Sequence, residues 1–123
     1  MGEYAMTIDG HAVEGVKFFP VINPATGSPF AEAPECTPQQ LADAIEAAHC
    51  AFGSWRHDEA RRRQALRACG STIRNHVDLL ANTLTREQGK PLQRAVEEVK
   101  ETASYFEETA CRPIPCDTLR DDA

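Results

Sequence analysis

Thr37-Pro38-Gln39-Gln40-Leu41-Ala42-Asp43-Ala44-Ile45-Glu46-Ala47-Ala48-His49-Cys50-Ala51-Phe52-Gly53-Ser54-Trp55 is where the chain changes character. Thr37 followed by Gln40 makes a capping box, and Pro38 suits the first helical position, where its missing N–H costs nothing. Leu41, Ala44, Ile45, Ala48, Phe52 and Trp55 recur at spacings of three and four, so they share one helical face. Gly53 is expected to fray or end this helix.

Before this point the pattern is extended. Tyr4 to Ile8, the pair Asp9-Gly10, and His11 to Val13 read as a small hairpin, because Asp-Gly accepts the positive φ of a two-residue turn. Phe18 to Ile22 is a β-rich run in which Pro20 calls for an edge or short strand. Asn23-Pro24-Ala25-Thr26-Gly27 is a tight reversal, and Ser28 to Pro34 returns as a strand.

After this point the pattern stays helical. Asp58 is the expected N-cap of a second helix carrying Ala65, Leu66, Cys69 and Ile73. A break falls at 75–78. Val77, Leu80, Ala81 and Leu84 form a third stripe, stopped by Gly89. Lys90-Pro91 opens a fourth, with Leu92, Ala95, Val96, Val99, Ala103 and Phe106, ended by Pro113 and Pro115. The fold class is α+β: residues 1–35 are β-rich, 36–112 hold about four amphipathic helices, and 113–123 are a polar tail of a single partial domain.

At 123 residues the chain has room for one modest core. Hydrophobic content of 41% and charged content of 26% belong to a globular chain. A net charge of −6 and the lack of a long apolar run argue against nucleic acid and membrane as partners. Arg56, Arg61, Arg62, Arg63, Arg67 and Arg74 cluster, but they read as a solvated face pairing with carboxylates elsewhere. An acidic start without an apolar stretch gives no secretory signal, so the expected location is cytoplasmic and the cysteines reduced.

The chemistry of sites is sparse. The glycines are too scattered for a dinucleotide loop, and around Gly89-Lys90 the phosphate-loop positions hold Leu84 and Pro91. The histidines and the Cys111/Cys116 pair lack partners at metal-ligand spacing. Cys50 and Cys69, in or beside apolar stripes, are expected to act as small hydrophobes, and Cys36 has no identifiable base. No residue is assigned as catalytic or cofactor-binding.

Several segments, in order, resemble the start of the NAD(P)-dependent aldehyde dehydrogenase superfamily. They are Ile8-Asp9-Gly10, Val21 to Gly27, Ala47 to Phe52 with Trp55, Arg62 with Leu66, Asp78 to Ala81, and Glu87-Gln88-Gly89-Lys90-Pro91-Leu92 with Glu98-Val99. The Glu-Gln-Gly-Lys-Pro version is similar to members acting on succinate semialdehyde. The resemblance implies oxidation of an aldehyde to a carboxylic acid with NAD or NADP. A cysteine thiolate attacks the carbonyl, hydride leaves for the nicotinamide, and a glutamate-activated water hydrolyses the thioester. In the family those groups and the cofactor glycines come later in the chain, so the expectation is a structural N-terminal segment, inactive alone, that binds no cofactor by itself. Its implied partner is the remainder of such an enzyme, or a second copy through exposed apolar faces, Leu41/Ile45/Phe52 and Val96/Val99/Phe106. The competing expectation is a stand-alone helical interaction module, with nucleic-acid binding ranked behind it. The resemblance also implies a monovalent cation held by the carbonyls of Val21 and Ile22 and the carboxylate of Glu98.

Overall fold

The computed structural model describes residues 4–114. Pro115, Cys116 and the rest of the expected polar tail lie outside that range, as do residues 1–3. Two separate antiparallel ribbons come first. Strands β1 (Met6–Ile8) and β2 (His11–Val13) pair with Met6 opposite Val13. Their turn is Asp9-Gly10, with φ of 51° and 75°, the double positive φ of a turn whose twist matches the strands. Strands β3 (Lys17–Asn23) and β4 (Ser28–Glu35) form the second ribbon, from Lys17 opposite Glu35 to Asn23 opposite Ser28. Each strand pairs on one side only, which is how Pro20, Pro29 and Pro34 fit without breaking a central ladder. The turn between them is held by the Asn23 carbonyl oxygen, which accepts from Gly27 N at 2.8 Å, and by Asn23 Oδ1, which accepts from Ala25 N at 2.9 Å.

Four helices follow: α1 (Pro38–Trp55), α2 (Glu59–Asn75), α3 (Val77–Gln88) and α4 (Leu92–Thr109). The expected capping box is present, with Thr37 Oγ1 accepting from Gln40 N and Gln40 Oε1 accepting from Thr37 N. Asp58 caps α2 through Arg61 N at 2.9 Å. Gly89 closes α3 in the left-handed region, and a Cβ there would also sit 3.0 Å from Pro24 Cγ, so two independent constraints select glycine. Gly53 does not end α1, which runs on to Trp55. A single glycine costs about 1 kcal/mol of helix propensity, too little to stop a helix that its cap has already started. Likewise α4 stops at Thr109, before the first proline.

The core is a seam of small residues. Ala81, Ala95, Ala103 and Ala110 are fully buried and Val99 is 8% exposed, with Ile73, Val77, Leu84 and Val96 packed around them. Small side chains let α4 lie close against α2 and α3. At the α2–α4 crossing, a Cβ on Gly70 would meet the Ala103 carbonyl oxygen at 3.0 Å. The stripe Val96/Val99/Phe106 is therefore covered, against the expectation that it stands open. On α2 it is Gly70, not Cys69, that faces the seam; Cys69 lies one position round the helix and is exposed.

Helix α1 is different. Nothing on it is buried, and Ile45 and Phe52 are 62% and 54% exposed. Its stripe lies open, as the sequence led one to expect.

Candidate functional site

The N-terminal turn of α2 gathers two other helix ends. Arg62 Nη1 donates to the carbonyls of Trp55 (2.7 Å) and Arg56 (2.8 Å) at the end of α1. Arg63 donates to the carbonyls of Ala110 (2.7 Å) and Arg112 (2.8 Å) past the end of α4, and pairs with Glu59 one turn back. The arginine cluster is thus partly consumed in joining helix ends, rather than in a patch for an anionic polymer. Arg61 lies over the Trp55 ring at 5.7 Å, and Arg74 pairs with Glu107 across α2 and α4 at 2.6 Å.

Between these ends lies a cleft of about 530 Å³. Trp55, Leu66, Cys69, Pro113 and Ile114 line it, and Arg62, Arg63, Arg112 and Glu59 contribute its polar groups. The α2–α4 pairing shifts ionisation as expected. The Arg74 guanidinium hydrogen-bonded to Glu107 lowers the pKa of that carboxylate from its ordinary value.

Cys36, Cys50, Cys69 and Cys111 are all free and exposed. Cys50 and Cys69 are therefore not the small core hydrophobes expected from their stripes: no residue of α1 is buried, and on α2 it is Gly70 that faces the seam. The Cys50 thiol donates to Glu46 Oε1 at 3.4 Å, and that bond pushes its pKa up, the reverse of what a thiolate nucleophile needs. No group of three or more His, Cys, Asp or Glu side chains converges on a metal position among the described residues.

The residues of the implied cation site fall on two sides of α3. Val21 borders a hollow with Phe30, Thr83 and Glu87, while Glu98 borders another with Leu84, Thr83 and Glu87. The two hollows share the Thr83/Glu87 edge, and neither holds all three residues. A bulge interrupts the ribbon between Val21 and Ile22, and Ile22 stands opposite Pro29, which has no amide hydrogen to offer it. Glu98 pairs with the Lys90 ammonium. Sequence reading had not foreseen one fixture here: Arg86 of α3 stacks over the Phe30 ring at 4.4 Å and so fastens β4 to the helices. Only the pairing of distant elements places those two residues together.

Comparison with known proteins gives this strand-and-helix segment its family. Residues 12–114 match the model of the aldehyde dehydrogenase family, and the chain belongs to that family. A probable aldehyde dehydrogenase from Pseudomonas sp. is 34% identical over 113 residues, 91% of this chain but 23% of that protein. The mitochondrial succinate-semialdehyde dehydrogenase of Oryza sativa subsp. japonica is 37% identical over 86% of this chain and 19% of its own length. The crystal structure of a betaine aldehyde dehydrogenase point mutant from Staphylococcus aureus, in complex with NAD+, superposes with a TM-score of 0.82 at 27% identity. It is covered over 24% of its chain, against 90% of this one. The chain thus spans about a fifth to a quarter of the relatives it matches, and corresponds to an N-terminal segment of them.

Proposed function

We propose that this chain is a structural segment of an NAD(P)-dependent aldehyde dehydrogenase, which oxidises an aldehyde to a carboxylic acid, and that alone it turns nothing over. The observation that carries this is the open apolar stripe of α1, beside four described thiols with no activating base. An unpartnered apolar face of that kind is suited to another polypeptide surface. The remainder of a family dehydrogenase supplies one, together with the catalytic thiol and the dinucleotide. A cytoplasmic location goes with this reading. Among the described residues, no helix is long and apolar enough to cross a membrane. The purified chain, given succinate semialdehyde and either NAD or NADP, is expected to reduce neither. Turnover abolished by replacing one of its own cysteines with serine would overturn the proposal.

The reading extends to a monovalent cation held by the main-chain carbonyls of Val21 and Ile22 with the Glu98 carboxylate. One feature supports it, the bulge with its donor-less Pro29 opposite Ile22; the Glu98 carboxylate is held by the Lys90 ammonium, which the ion displaces in this reading. Hard oxygen donors suit such an ion. The expected result is a higher Tm in sodium or potassium chloride than in choline chloride at equal ionic strength, with the difference lost in Glu98→Gln. Identical melts in all three salts would remove the cation from the proposal.

A further inference from the structure

The elements sort into two sets by what they pack on. Strand β1 pairs with β2 and packs on α1, whereas β3 pairs with β4 and packs on α3, and α2 and α3 both pack on α4. The first set is held together at the start of α1, where Gln40 Nε2 donates to the Glu14 carbonyl at 3.1 Å and Ala44 and Ala47 are half-buried. The second set holds the whole buried core. Between the sets runs the α1–α2 corner. From Ala51 to Ala60 every residue is exposed, through the last turn of α1, the bend Arg56-His57-Asp58 and the start of α2. Apolar burial therefore does not fix the angle at this corner. Polar contacts cross it instead: Arg61 over the Trp55 ring at 5.7 Å, and half-buried Arg62, whose Nη1 reaches the Trp55 and Arg56 carbonyls at 2.7 and 2.8 Å.

Arg62 is the fourth residue of α2, where a cation opposes the positive end of that helix dipole. The same charge is favourable against the last carbonyls of α1, the negative end of its dipole. The local cost to α2 is thus offset only across the corner. Arg63 is placed alike and turns the other way, to the carbonyls of Ala110 and Arg112, but the end it holds is also fixed by burial of Ala110. Arg62 has no such second support.

We propose that the α1–α2 corner is a hinge and that Arg62 is its latch. With both carbonyl bonds made, α1 and the β1–β2 hairpin stand at one angle to the α2–α4 bundle. With them broken, that unit pivots at residues 56–58 with α1 still helical, because the Thr37/Gln40 capping box lies at its far end and does not involve Arg62. Arg62 thereby sets the direction in which the exposed Leu41/Ile45/Phe52 stripe faces. The latch belongs to this chain and does not depend on what covers that stripe.

Residual dipolar couplings of the backbone amides, measured on the isotope-labelled chain in a weakly aligning medium, test this. In the wild type, α1 and α2–α4 are expected to fit one alignment. In Arg62→Gln, α1 and β1–β2 are expected to fit together but to leave the alignment of α2–α4, with the helical chemical shifts of α1 retained. Arg62→Lys, which keeps the charge but not the planar fork, is expected to behave likewise. Arg61→Gln, which removes only the ring contact, keeps a single alignment. A single alignment in both Arg62 variants, or two alignments already in the wild type, would overturn the latch. So would loss of the helical shifts of α1, or release by Arg61→Gln as complete as by Arg62→Gln. Where Arg62→Gln also loses the α2–α4 shifts, Arg62→Lys decides: two alignments uphold the latch, and one alignment or a second global loss overturns it.

Discussion

Helices α1 and α4 are both 18 residues long and both carry a regular apolar stripe, yet α4 is the axis of the core and α1 buries nothing. The difference lies in what each meets. Helix α4 presents alanines and Val99 at the centre of its contacts, with Val96 and Phe106 half-buried beside them, so α2 and α3 pack closely against it. Helix α1 presents Leu41, Ile45 and Phe52, side chains large enough to anchor an interface, to no neighbour. A stripe tells which face of a helix seeks burial; only the neighbours decide whether burial happens within the chain. Here one face is satisfied internally and the other is suited to something larger.

The strongest way to break the comparison is at the α2–α4 crossing. Gly70→Val puts a branched side chain where even a Cβ would press on Ala103 O. We expect it to lose about 2–3 kcal/mol in urea denaturation, in the upper part of the range for overpacked cores. A change below about 0.5 kcal/mol would mean that the two helices are not in close contact. A smaller effect belongs to the ion pair beside that crossing. Glu107 has a folded pKa held below its ordinary value by the Arg74 hydrogen bond, so its contribution is present above the unfolded carboxylate pKa. It is lost as pH falls through the lowered folded value. Because both side chains are substantially exposed, solvent screens the pair and the effect is modest. Glu107→Gln is expected to lower Tm slightly at neutral pH, with the gap from wild type narrowing in acid. A gap that widens in acid would contradict the assignment. The smallest effect is on α1. Ile45→Ser is expected to change stability by no more than about 0.5 kcal/mol, because the side chain is already in water. Amide hydrogen exchange should find α1 less protected than α4. A large loss on Ile45→Ser, or equal protection of the two helices, would show that α1 has a partner within the chain.

Local signals carried most of the fold. The Asp9-Gly10 turn, the Thr37/Gln40 capping box, the Asp58 cap and the Gly89 stop each depend on contacts a few residues long, so residue type and spacing suffice to place them. Gly53 misled because propensity is weak beside an already nucleated helix. The stripe cysteines misled because periodicity assigns a face, not its covering. Of the candidate site, the cleft was not readable from spacing. It is built from the ends of α1 and α4 brought together by Arg62 and Arg63 across sequence separations of up to 49 residues.

What the sequence by itself determined is the order and limits of the elements, their apolar faces, and the ordered motifs that mark the family, since all of these rest on interactions local to the chain. What only the tertiary structure decided is which face is used up internally, and that Arg62 and Arg63 join the ends of α1 and α4 around a cleft. Those outcomes depend on the close approach of residues far apart in sequence, and that approach is a property of packing in space.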